Sequence, residues 1–137
     1  MSAKDIYHDA VRNALVKDGW TITDDPLHLV WGKTNFYVDL GAERILAAEK
    51  QGRRIAVEVK SFVGDSEMDD MEKALGQFML YHSIMRRKDP DRTLFLAIPK
   101  NAAEIFDEPV GRLLLEDYEI QVIVFDPDKQ EIIQWLP

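Results

Sequence analysis

Residues 93–98, Thr-Leu-Phe-Leu-Ala-Ile, are a nearly unbroken apolar run of strand length, closed by Pro99. A strand with no polar alternation belongs in the middle of a sheet that is covered on both faces. The rest of the chain must therefore supply cover for two faces. Ile6, Tyr7, Ala10, Val11, Ala14 and Leu15 recur at helical spacing, which predicts a helix over 3–17, capped by Ser2 and stopped by Gly19. Met71, Ala74, Leu75, Phe78, Met79, His82 and Met85 form the stripe of a longer helix over 67–88, started by Ser66. Short helices are expected over 102–106 and 110–116, and strands over 20–23, 27–31, 35–40, 45–50, 53–60, 119–125 and 132–136. Gln51-Gly52 reads as the hairpin turn between the arms at 45–50 and 53–60, and Asp126-Pro127-Asp128-Lys129 as another turn. This order predicts an α/β fold, a mixed β-sheet flanked by α-helices on both faces.

No stretch rich in proline, glycine and serine divides the chain, so residues 1–137 are expected to form a single domain. There is no cysteine, which excludes disulfides, thiolate catalysis and cysteine–zinc sites. No apolar run is long enough for a membrane span, and the start, MSAKDIYHDA, is too polar for a signal peptide, so a cytoplasmic protein with no membrane contact is expected. The 17 cations against 25 acids leave a net charge of −8. That balance argues against a nonspecific nucleic-acid coat; contact with a polyanion requires a local basic patch, a bound cation or a partner.

The stretch from Asn35 to Phe62 carries the chemistry. In the strand over 53–60, Ile55, Val57 and Val59 point one way, and Ala56, Glu58 and Lys60 the other. Asp39 lies in the earlier strand and can join Glu58 if the strands pair. Two carboxylates make a hard oxygen site suited to magnesium or manganese. A lysine one pleat further can neutralise a scissile phosphate or orient a water, as metal-dependent phosphodiester hydrolysis requires. Taken alone, Glu-Val-Lys is also what a wet strand face or an internal ion pair would carry. On the long helix, Gln77 and Tyr81 are one turn apart, where the glutamine could bond the lysine or a phosphate, or simply face water.

Asp39, Glu58-Val59-Lys60, Gln77 and Tyr81, in this order of strands and helix, resemble the PD-(D/E)xK nuclease superfamily, the restriction-endonuclease-like fold. Val38 stands where that superfamily often has a proline. The segments DAVRNALVKDGWTITDDPL, VDLGAE, AAEK, IAVEVKSF and ALGQFMLY look like the XisH family of cyanobacteria, the fdxN element excision controlling factors, over essentially the whole chain. The resemblance implies control of the excision of a DNA element by a site-specific recombinase, with an XisI-type companion protein. Within the superfamily pattern, Asp39 and Glu58 match the metal ligands, Lys60 the catalytic lysine and Gln77 the helix glutamine. Asp9 matches, more loosely, an acidic residue of the first helix that supports the metal. Glu43 and Glu49 are further carboxylates nearby. The opposing expectation is a non-catalytic regulator that binds a recombinase, an XisI-type partner or DNA.

Other residues carry weaker expectations. His8 reads as a helix surface residue, and the three histidines lack ligand spacing. Trp20, Trp31 and Trp135 read as core or interface anchors, an exposed one pointing to a partner surface. Lys50, Arg53 and Arg54 at the hairpin, and Arg86, Arg87, Lys88 and Arg92 beyond the long helix, could meet a DNA backbone; the second group equally suits a helix C-terminus. Ile132, Trp135 and Leu136, if exposed, would permit a homodimer.

Overall fold

The structure, a computed structural model, describes residues 6–38, 40–44, 52–62 and 66–136. The elements are α1 (His8–Lys17), β1 (Thr21–Asp24), β2 (Leu27–Trp31), β3 (Thr34–Val38), β4 (Leu40–Arg44), β5 (Arg53–Val59), α2 (Glu67–Lys88), β6 (Arg92–Pro99), a 3-10 segment (Lys100–Phe106), α3 (Pro109–Asp117), β7 (Val122–Asp126) and β8 (Glu131–Leu136). None of the described helices is long and apolar enough to cross a membrane.

The apolar run of β6 sits at the centre of a six-stranded sheet ordered β1-β4-β5-β6-β7-β8. β5, β6 and β7 run parallel, β4 and β8 antiparallel to their neighbours. Parallel neighbours need crossovers. α2 makes the first, and the 3-10 segment with α3 makes the second. Ser66 starts α2 by accepting a hydrogen bond from the Asp69 amide at 3.2 Å. Pro99 ends β6, and Pro109 opens α3 where its missing N–H costs nothing. A Cβ on Gly111 would lie 1.9 Å from the carbonyl oxygen of Ile105, so only glycine lets α3 lie this close to the 3-10 segment.

The two faces build two cores. Val11, Leu15 and Trp20 cover Ile55, Val57, Val59, Phe95, Ala97, Ile123 and Phe125 on one side. Met71, Ala74, Phe78, Tyr81 and Met85 of α2 cover Ala56, Leu94, Leu96, Ile98, Val122 and Val124 on the other. The strand parity expected of residues 55–60 is thus the parity observed.

The meander departs from a single sheet. β2 and β3 pair only with each other, as a two-stranded ribbon turning at Gly32-Lys33. Gly32 takes φ +61°, the conformation a two-residue hairpin loop needs at its first position. The ribbon lays Leu29, Phe36 and Val38 on the α2 side, where Phe36 meets Tyr81 edge-on at 5.9 Å. The strand expected over 35–40 is therefore two strands in two sheets, β3 ending at Val38 and β4 starting at Leu40. The antiparallel partner of β5 is β4, with Leu40 opposite Val57 and Arg44 opposite Arg53. The arm expected over 45–50 lies outside the described residues, as do residues 3–5 of the expected first helix, which begins at His8 with Tyr7 at its N-cap. At the other edge, Ile132 and Trp135 pack on the α1-side core and Leu136 on the α2-side core. The apolar residue β8 exposes is Ile133, so the three residues expected to offer a dimer surface are already half-buried within the chain.

Candidate functional site

Glu58 and Lys60 stand at the C-terminal end of β5, the end of parallel strands beyond which open α/β sheets hold their ligands. Glu58 is opposite Leu96, and the Lys60 amide donates to the Ala97 carbonyl at 2.9 Å, so the ladder holds the lysine backbone one residue past the strand. Both side chains leave the sheet on the α2 side. The Glu58 side chain is 7% exposed and that of Lys60 27%, with Lys60 Nζ 3.4 Å from Glu58 Oε1. A carboxylate this deep needs compensating charge or hydrogen bonds, and the ammonium supplies charge from the open side. Two residues after Lys60, buried Phe62 takes φ +56°. Left-handed backbone at a bulky residue is costly, and such strain gathers at functional sites.

The other expected residues fall as follows. Asp39 and Glu49 lie outside the described residues, as does the side chain of Glu43, whose backbone pairs with Arg54. Gln77 is exposed on α2, while Tyr81, one turn on, is buried against the ribbon. Asp9 is exposed on α1, the helix covering the opposite face of the sheet from Glu58. Among the described residues no three His, Asp or Glu side chains gather into a metal-holding group.

Three charged clusters were not foreseen. His8 is buried rather than on the surface: its Nε2 lies 2.7 Å from Asp25 Oδ1, and Arg12 bonds the other oxygen of that carboxylate. Asp89 closes α2 and binds Arg54 through both oxygens, at 2.9 and 2.7 Å, and Arg92 Nε at 3.0 Å. Burial pushes the Asp89 carboxyl up, but the hydrogen bonds and charge of Arg92 and Arg54 outweigh it and hold the group below its usual range. Arg54 and Arg92 are thus both bound to a carboxylate of the chain itself. At the C-terminal ends of β6 and β7, Asp126 accepts from the amides of Lys129 and Asp128 and from Lys100 at 3.1 Å. The Lys129 amide, then Lys100, hold it below the usual range against the opposing effect of burial. The signals were an acid just before the turn proline (Asp25), at a helix stop (Asp89) and at a strand end (Asp126), places where short carboxylates bond local backbone or close a cap.

The family model for XisH protein matches residues 1–133. The chain belongs to the XisH family. It is similar to an XisH family protein from Nostoc punctiforme PCC 73102, whose crystal structure superposes with a TM-score of 0.87 at 36% identity, over 97% of this chain and 100% of that one. It is also similar to a fdxN element excision controlling factor protein from Anabaena variabilis, with a TM-score of 0.86 at 37% identity, over 98% and 100% of the two chains. No relative is found among the curated proteins. The mixed α/β architecture is thus one that solved XisH-family structures share.

Proposed function

We propose that this XisH-family chain controls the excision of a DNA element, the role for which its Anabaena variabilis relative is named. We further propose that it does so on a restriction-endonuclease-like domain with a magnesium- or manganese-dependent phosphodiester site. The observation that carries this reading is the Glu58–Lys60 couple, deep on one side, open on the other, at the ligand end of the parallel strands. Leu40 pairs with Val57, and consecutive Cα atoms are about 3.8 Å apart. The residue after Asp39 in the chain thus pairs with the residue before Glu58. The donor chemistry suits a hard cation: Glu58 supplies one buried carboxylate, and Asp39 would supply the second. Such an ion makes bound water more acidic and stabilises charge on a phosphoryl oxygen. Lys60 would hold the phosphate's charge at Nζ, and Gln77 would donate to it from α2.

Plasmid nicking tests the site directly. Cutting is expected with magnesium or manganese and is lost in Lys60→Ala and in Asp39→Ala; metal-dependent cutting that survives both substitutions sinks the assignment. The alternative is a regulator without chemistry that binds a recombinase, an XisI-type companion or DNA. The exposed Gln77 and the ion pair that already neutralises Glu58 favour it. Calorimetric titration with manganese separates the two: heat of binding that disappears in Asp39→Ala supports the metal site, and no heat supports the regulator.

A further inference from the structure

The β2–β3 ribbon is segregated from the acidity of the rest of the chain. Residues 27–38 contain no Asp or Glu, although the chain has 25 such residues in 137. Its turn exposes Lys33, and Trp31 beside it is 48% exposed. Lys88, from the last turn of α2, sits over the Trp31 ring at 5.6 Å, so the ribbon tip and the cationic helix end form one surface. Arg86 and Arg87 precede Lys88, all three exposed. Asp89, next in the chain, does not cancel them, because Arg54 and Arg92 hold its carboxylate. Asp91 is the exposed acid of the same turn. On the outer face, His28 stacks on Tyr37 at 4.8 Å, and His28 Nε2 lies 2.8 Å from Asn35 Oδ1. These rings face each other, and that of Trp31 faces a lysine, so they are not platforms awaiting an unpaired base.

We propose that the ribbon tip and the end of α2 form a docking surface for double-stranded DNA, separate from the Glu58–Lys60 site, with Lys33 and Lys88 on the phosphates. The inference deepens the excision reading and rests on it for the identity of the polyanion. The dimensions fit: paired strands are about 4.8 Å apart, and the major groove, about 12 Å wide, admits a two-stranded ribbon. In a chain of net charge −8, a patch whose exposed charges are cationic but for Asp91 orients the molecule toward the duplex.

The test is fluorescence anisotropy with a fluorescein-labelled duplex of about 20 base pairs, titrated across salt in EDTA so that neither metal nor cleavage contributes. Each phosphate contact adds about 0.9 to the steepness of log K against log salt. The double variant Lys33→Ala, Lys88→Ala is expected to lose about 1.8 of that slope and to bind about tenfold more weakly near physiological salt. The charge-matched control Lys73→Ala, Lys129→Ala, on exposed positions elsewhere, is expected to bind like the wild type. If the melting temperature shows that loss of the Lys88–Trp31 contact loosens the fold, Lys33→Ala alone, in the exposed turn, is expected to lose about 0.9 of the slope. Equal weakening in both double variants, no weakening in either, tighter binding of a single strand than of the duplex, or no duplex binding by the wild type overturns the proposal. A protein that binds through Lys33 and Lys88 but does not nick keeps this surface and loses the metal site. One that nicks while its binding ignores both lysines does the reverse.

Discussion

Glu58 is tolerated inside the fold because Lys60 stands two residues on, on the same side of one strand, with its ammonium 3.4 Å away. Breaking a buried pair from one side leaves a carboxylate with less compensation than burial demands, whereas replacing both partners with apolar groups removes the demand itself. Lys60→Met is therefore expected to lower unfolding free energy by about 1–3 kcal/mol, discounted because the lysine is partly exposed. Adding Glu58→Met is expected to return more than half of that loss. Urea unfolding of the two variants measures it; a single variant as stable as the wild type means the lysine is held for something other than stability. This pairing was legible in the sequence, since alternation along a strand decides which side chains are neighbours. The burial of His8 was not: it depends on Asp25, 17 positions away, and no local periodicity announces a bond of that span.

At the level of elements, α2 matched its expected bounds because cap, stripe and terminating turn agree. The meander did not, because two of its strands leave the main sheet and cover α2, and hydrophobic alternation says which face of a strand is buried but not against which partner. The β7–β8 turn yields a prediction of its own. Asp126 is tied to the Lys129 and Asp128 amides and to Lys100, which depresses its carboxyl from the usual 3.8. A depressed folded value stabilises the protein above the ordinary carboxylate range, and that contribution is lost as pH falls through the folded value. Asp126→Asn is therefore expected to be less stable than the wild type at pH 7, with the gap closing from about pH 4 downward. Thermal melting across that range follows it, and a gap independent of pH refutes the charged role.

In the molecule as a whole, β5, β6 and β7 are enclosed by both cores, whereas the ribbon is covered on one face only. Amide hydrogen exchange is therefore expected to be slowest in residues 94–98 and at least tenfold faster in 27–38, through local opening that leaves the main sheet intact. Equal protection in the two segments means the ribbon opens only with the rest. The segregation of charge at the ribbon was written in the composition of residues 27–38, yet its meaning waited on knowing that Trp31 and Lys88 meet, a contact across 57 positions. One joint in this architecture has a mechanical consequence. A single residue, position 39, separates the last strand of the ribbon from β4, whose neighbour carries Glu58 and Lys60. Because β3 and β4 belong to different sheets and β4 borders β5, a load on the ribbon tip is passed along the chain to the neighbour of the strand that carries Glu58, not across a shared sheet.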